Sequence, residues 1–135
     1  DLKQDGIESN IVFKNNQQRL SIFNTISSSK QADGSHQLNR PDSTYGASYD
    51  VDINDTFIGP ISLIYNYKHY GKSFDYKPSI TKVDSTDIMN LSILKNIGFS
   101  VVSFNVSNLL DENYQRPYGY SQNGRLFNLR FRINY

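Results

Sequence analysis

From residue 127 to the end the chain alternates without exception. Phe127, Leu129, Phe131, Ile133 and Tyr135 are apolar or aromatic, and Asn128, Arg130, Arg132 and Asn134 stand between them. A period of two predicts a β-strand with one apolar and one polar face. The pattern recurs upstream. Tyr45, Ala47, Tyr49, Val51 and Ile53 oppose Gly46, Ser48, Asp50 and Asp52. Ile61, Leu63, Tyr65 and Tyr67 oppose Ser62, Asn66 and Lys68, with Ile64 as an exception, and Val102, Phe104 and Val106 oppose Ser103, Asn105 and Ser107. Helical periodicity is almost absent. Strand-like runs at about 7–14, 19–28, 44–53, 57–70, 86–95, 99–108 and 126–135 predict an all-β chain. Its seven or so long strands form an antiparallel up-and-down meander.

The connections alternate in length. Asn15-Asn16, Asn54-Asp55 and Asn96-Ile97-Gly98 are tight-turn signals. Between them lie polar stretches at 29–43, 71–85 and 109–124, which carry Asp33-Gly34, Arg40-Pro41, Pro78, Pro117 and Asn123-Gly124. In a meander every second connection falls on the same edge of the sheet, so the long loops share one edge and the tight turns the other. Membrane barrels have this asymmetry. Strands of about ten residues also match the ~9–11 that a tilted membrane strand needs, against a usual ~5–6 in soluble sheets. The outer face of a sandwich would alternate in the same way, so a soluble β-sandwich that binds carbohydrate through exposed tyrosines stays open beside the barrel.

At 135 residues the chain is the size of one domain, 1–135. With 37% hydrophobic residues, 20% charged and a net charge of +1, it offers no electrostatic case for a nucleic-acid partner. Ten Tyr and eight Phe without a single Trp favour half-buried surfaces and membrane interfaces. The absence of Cys excludes disulfides and thiolate metal sites. The polar opening run lacks a signal-peptide core, and no run reaches the ~20 apolar residues of a membrane helix, which leaves membrane strands untouched.

Candidate chemistry is sparse. His36 and His69 have no companions at metal-ligand spacing, so neither a metal nor another cofactor is expected. Asp50 and Asp52 share a face without a nucleophile or partner acid, so no enzyme activity is expected. They read instead as part of a wet lumen face. The glycosylation-like triplets at Asn54, Asn90 and Asn105 read as chance matches. Arg130 and Arg132 belong to the polar face, because on a lipid-facing side each would cost about 2–4 kcal/mol near the midplane.

The run Asn105-Val106-Ser107-Asn108-Leu109-Leu110-Asp111-Glu112-Asn113-Tyr114 is followed by Gly119-Tyr120, then Gly124-Arg125 and a closing alternating strand with a terminal aromatic. This order closely resembles the carboxyl end of TonB-dependent outer-membrane receptors. Their pattern reads N-V-x-N-L-x-D-x-x-Y, then G-Y-P-x-P-G-R, then the last strand. Ser121-Gln122-Asn123 departs from the proline-rich step, and Arg40-Pro41 is a weaker match to an R-x-P step. The resemblance implies that the chain is the C-terminal part of a 22-stranded transmembrane β-barrel whose signal peptide and plug lie upstream. It implies outer-membrane localisation in a Gram-negative bacterium and TonB-dependent uptake of a large scarce nutrient such as an iron-siderophore or cobalamin. Implied partners are lipid, the plug and remaining barrel, TonB acting through the plug, and the barrel assembly machinery. Phe127, Leu129, Phe131, Ile133 and Tyr135 would form the assembly signal. Tyr114, Arg116, Tyr118 and Tyr120 would be outer-loop ligand contacts, and Asp50, Asp52, Arg130 and Arg132 would face the plug. A passive porin or an autotransporter translocator is the remaining alternative.

Overall fold

A computed structural model of the chain describes residues 3–30, 38, 40–76 and 80–133. Its strands are β1 (Lys3–Lys14), β2 (Gln18–Lys30), β3 (Ser43–Ile53), β4 (Ile61–Tyr70), β5 (Ser73–Tyr76), β6 (Ile80–Val83), β7 (Thr86–Ile97), β8 (Ser100–Ser107) and β9 (Leu126–Ile133). Seven of them form one antiparallel sheet in the order β1-β2-β3-β4-β7-β8-β9, and β5 and β6 pair separately as a small hairpin. The seven-strand meander is the architecture the alternation predicts, and the long connections share one edge.

Local chemistry sets the boundaries. Asn15 closes the first turn by accepting from the backbone N–H groups of Gln17 (2.9 Å) and Gln18 (2.8 Å), an Asx turn. β4 starts at Ile61 rather than near Phe57. Gly59 has φ +84°, a loop from Thr56 to Gly59 is closed by a 2.8 Å backbone bond, and Pro60 has no N–H to give to a ladder. The 71–85 stretch, read from the sequence as plain loop, contains the β5–β6 hairpin. Tyr135 and His36 lie outside the described residues.

The register assigns every strand side chain to a face. On one face the ladder aligns Ile7, Ile11 and Phe13 of β1 with Ile26, Ile22 and Leu20 of β2, pairs whose alternation is hard to read from either strand alone. The same face continues through Tyr45, Tyr49, Val51 and Ile53, then Ile61, Leu63, Tyr65 and Tyr67, then Met89, Leu91 and Ile93. It ends with Val102, Phe104 and Val106 against Phe131, Leu129 and Phe127. Ser9 and Asn24 interrupt it as a facing pair. The other face carries Asp50, Asp52, Asn66, Asn90, Ser92, Ser103, Asn105, Asn128, Arg130 and Arg132, with Val12, Phe23, Ile64, Ile88, Leu94, Val101 and Leu126 among its apolar exceptions.

No second layer covers the apolar face among the described residues. Val83 and Val106 are the only buried hydrophobic side chains described, whereas Ile7 is 70% exposed, Phe127 65% and Phe131 68%. The apolar band also runs obliquely across the ladder. Phe127, where the band begins on β9, is joined through Val106, Leu91, Tyr65, Tyr49 and Leu20 to Phe13. On β1 the band begins at Ile7, six residues before Phe13 (13 − 7), so its upper margin shifts six residues over six strand steps. The shift is gradual: Tyr45 of β3 falls in the row of Ser9, and Met89 of β7 in the row of Ile11.

On the polar face the Phe23 ring lies across Gly46, where an added Cβ would sit 2.8 Å from the ring and also against the Tyr67 carbonyl. Gly46→Ala is therefore expected to destabilise the sheet by about 1–3 kcal/mol through overpacking. A guanidinium titration in detergent checks this. Phe23→Ala in the same chain should restore only part of the loss, because the Tyr67 carbonyl stays.

Candidate functional site

The long-loop end gathers the chemistry. Asn108 and Asp111 open the 108–125 connection in left-handed conformations, at φ 52° and 59°, which Asn and Asp tolerate better than other residues with side chains. Asn108 is buried, and its side chain organises the loop. Its Oδ1 accepts from the Glu112 N–H (3.0 Å), and its Nδ2 donates to the carbonyls of Glu112 (2.9 Å) and Asn123 (3.2 Å). Its own N–H donates to Asn90 Oδ1 on β7 (3.0 Å). Asp111 Oδ1 accepts from the Arg125 N–H (2.7 Å), and a Cβ at Gly124 would stand 2.8 Å from that oxygen. Arg125 Nε in turn donates to the Leu109 carbonyl (3.0 Å). The Asn, Asp, Gly and Arg of the sequence motif thus hold the base of the loop in shape.

Above this base the chain doubles back. Gln115 bridges Ser121, the Gln122 N–H donates to the Tyr114 carbonyl (2.9 Å), and Gly119 turns at φ 81°. Arg116 reaches out of the turn to the head of β4. Its guanidinium carbon lies 4.7 Å from the Tyr70 ring centroid, and its Nη2 donates to the Gly71 carbonyl (2.8 Å). Burial pushes the Arg116 proton affinity below its ordinary value, opposed by Tyr70 and Asp75. The Tyr118 N–H donates to Asp75 Oδ2 at the start of the β5–β6 hairpin. Asp75 is buried, and its Oδ1 and Arg116 Nε have no protein partner among the described residues. Gly71 is itself enclosed by Asp42 and Ser43, and the Asp42 N–H donates to the Lys72 carbonyl (2.9 Å), so the foot of the 31–42 connection joins the same assembly.

The four loop residues singled out from the sequence therefore have distinct settings. Arg116 is half-buried and engaged with Tyr70 and Gly71. Tyr114 is half-buried, and Tyr118 and Tyr120 are exposed. Tyr114 and Tyr118 line a cleft of about 420 Å³ together with Lys82, Asp84, Thr86 and Glu112. Tyr70, Gly71 and Asp75 are not singled out by the sequence, where Tyr70 is one more residue of the 57–70 strand run and nothing distinguishes Gly71 and Asp75 from other polar-loop residues.

On the polar face Asp50 accepts from the Ser48 hydroxyl (3.1 Å) and Asp52 from that of Ser62 (2.5 Å). Arg130 helps line a concavity of about 480 Å³ with Asn90, Ser92, Ser103, Asn105 and Asn128. Arg132 is exposed one pair further along β9. Among the described residues no group of three or more His, Asp or Glu side chains converges as a metal site would require. His69 pairs instead with Asp87, Nδ1 to Oδ1, at 2.8 Å. Asn90 and Asn105 sit within strands on the polar face, and Asn54 in the turn before β4. The chain matches no protein-family model and no curated protein.

The geometry makes the Asn108 side chain, and not that of Glu112, the support of the loop. Asn108→Asp turns the two donors into acceptors facing carbonyls and is expected to cost on the order of 3 kcal/mol. Limited proteolysis should then cut between 109 and 124, while Glu112→Gln leaves the digestion pattern as it was.

Proposed function

We propose that this chain is the C-terminal part of the transmembrane barrel of a TonB-dependent outer-membrane receptor, which takes up a large scarce nutrient such as an iron-siderophore or cobalamin. The single observation that carries the reading is the oblique, uncovered apolar band. A bilayer is a horizontal slab, and strands that cross it at a tilt meet its margin at a different residue on each strand. A shift of one residue per strand, about 3.4 Å along against about 4.8 Å across, corresponds to a tilt of about 35°. Barrel strands tilt by roughly 35–45°. The soluble-sandwich alternative requires the same apolar side chains to meet a second sheet, and among the described residues they meet none.

Strand direction supports a larger barrel. β1 and β9 both run from the long-loop edge to the tight-turn edge, since six antiparallel steps separate them. Two copies of this sheet would have to meet β1 against β9 in parallel. An all-antiparallel closure needs an odd number of further strands, and the fifteen that complete a barrel of 22 satisfy that parity. In the reading the polar face, with Asp50, Asp52, Arg130 and Arg132, lines a lumen filled by an N-terminal plug through which TonB acts. Phe127, Leu129, Phe131, Ile133 and Tyr135 present the closing strand to the barrel assembly machinery. The cleft by Tyr114 and Tyr118 and the exposed Tyr120 belong to the ligand entrance, with Arg116 holding that loop to its neighbour. Finding a plug-sized region upstream would separate this receptor from a passive porin or an autotransporter.

Arginine placed on either side of β9 tests the assignment. In the full-length protein Leu129→Arg should cost about 2–4 kcal/mol and sharply lower assembly in the outer membrane, whereas Asn128→Arg should be tolerated. Surface labelling of an epitope in the 109–124 loop reads the outcome. Equal tolerance of both substitutions would contradict a lipid-facing band.

A further inference from the structure

At the long-loop margin of the apolar band one group of polar side chains is built more closely than a boundary requires. Tyr67 donates its hydroxyl to Asp87 Oδ1 (2.6 Å), and His69 Nδ1 lies 2.8 Å from the same oxygen. Both contacts go to Oδ1, which orients the carboxylate. Oδ2 has no partner among the described residues, and the Asp87 side chain is 44% exposed. His69 stacks on the ring of Tyr45, with centroids 4.4 Å apart and planes 15° apart, and Tyr67 leans on Tyr45 at 6.3 Å. Tyr45 keeps 42% of its surface exposed. Asn24, Tyr45, His69 and Asp87 form one cross-strand row on a single face; Tyr45 is the first band residue on β3, and His69 and Asp87 lie one step above the margin at Tyr67 and Met89.

We propose that this row is a binding site for the uncharged sugar headgroup of a membrane glycolipid whose acyl chains lie along the apolar band below. The inference rests on the transmembrane reading above. Three observations select the occupant. His69 and Asp87 stand directly above Tyr67 and Met89 of the apolar face, so a ligand seated there has an apolar part attached. The part-exposed Tyr45 ring, covered on one face by His69, shares its row with an oriented carboxylate whose second oxygen is vacant; this suits a sugar, whose C–H groups pack on the open part of the ring while its hydroxyls donate to the carboxylate. The described side chains of this face on β3, β4 and β7 above the margin include no Lys or Arg, and Asp87 would repel a phosphate.

The test uses the full-length protein in phosphatidylcholine vesicles doped with either digalactosyldiacylglycerol or phosphatidylglycerol, with native mass spectrometry reading the lipid retained. At least fivefold preference for the galactolipid over both phospholipids is expected. Tyr45→Ala and Asp87→Ala should each reduce it to less than twofold, while Tyr45→Phe, which keeps the ring, and Asn66→Ala, on the opposite face, preserve it. Equal retention of all three lipids, or unchanged preference in Tyr45→Ala, would overturn the proposal. So would equally tight binding of free digalactose, which would make the occupant a soluble sugar. Failure of the protein to enter any vesicle would instead sink the transmembrane reading, a result distinct from insertion without lipid preference.

Discussion

The interstrand ladder holds this structure together, because among the described residues the sheet has no second layer to pack against. In a two-layer fold, side-chain burial supplies most of the stabilisation and the ladder sets direction. Here the side chains of the apolar face lie open on β1 and β9 and half-open on most of the strands between, and no described side chain is completely buried. A sheet of this kind is stable only where something outside the polypeptide takes up the apolar face and where its two edge strands find partners. Both demands are met by a bilayer and by the remaining strands of a closed barrel, which is why the functional proposal follows from an architectural requirement and not from a catalytic constellation.

Division of labour between the two ends follows from the same constraint. Tight turns such as the Asn15 Asx turn need few residues because they only reverse adjacent strands. The connections at the opposite end are long enough to carry structure of their own, and they lean on one another. Arg116 on Tyr70 and Gly71, and Tyr118 on Asp75, tie the 108–125 connection to the β5–β6 hairpin. These loops act as one rim, so a ligand contacting one of them bears on the others. The buried Asp75 Oδ1 and Arg116 Nε, each without a protein partner among the described residues, mark where that rim is least satisfied.

Much of this was legible in the sequence, and the parts that were not have physical reasons. β3, β8 and β9 announce themselves because each alternates cleanly by itself. β1 and β2 do not: Ser9 and Asn24 break their pattern, and only the pairing shows that the two breaks face each other. The onset of β4 was placed too early because Phe57 and Ile58 look like strand residues, while the Gly59-Pro60 turn ends any ladder before Ile61. The β5–β6 hairpin was missed because two four-residue strands are shorter than any alternation can establish. Asn108 was visible as part of a motif, but two of its four hydrogen bonds depend on Asn90 and Asn123, which the chain brings in from 18 residues before and 15 after. Asp75 and Tyr70 gave no signal, because their roles arise from a contact between loops.

The most direct measurement exploits the lack of cysteine in the chain. Single cysteines placed along β1 and β9 of the full-length protein in a bilayer, each carrying a nitroxide, report collisions with oxygen, which concentrates in lipid, and with a water-soluble nickel chelate. The account predicts oxygen access at Ile7, Ile11 and Phe13 and at Phe127, Leu129 and Phe131, alternating with low values at their neighbours. It also predicts that Phe127 sits at the depth of Ile7, and not at the depth of Phe13, its partner through the ladder. Nickel access equal on both faces, or depths that follow the ladder rows instead of crossing them, would contradict it.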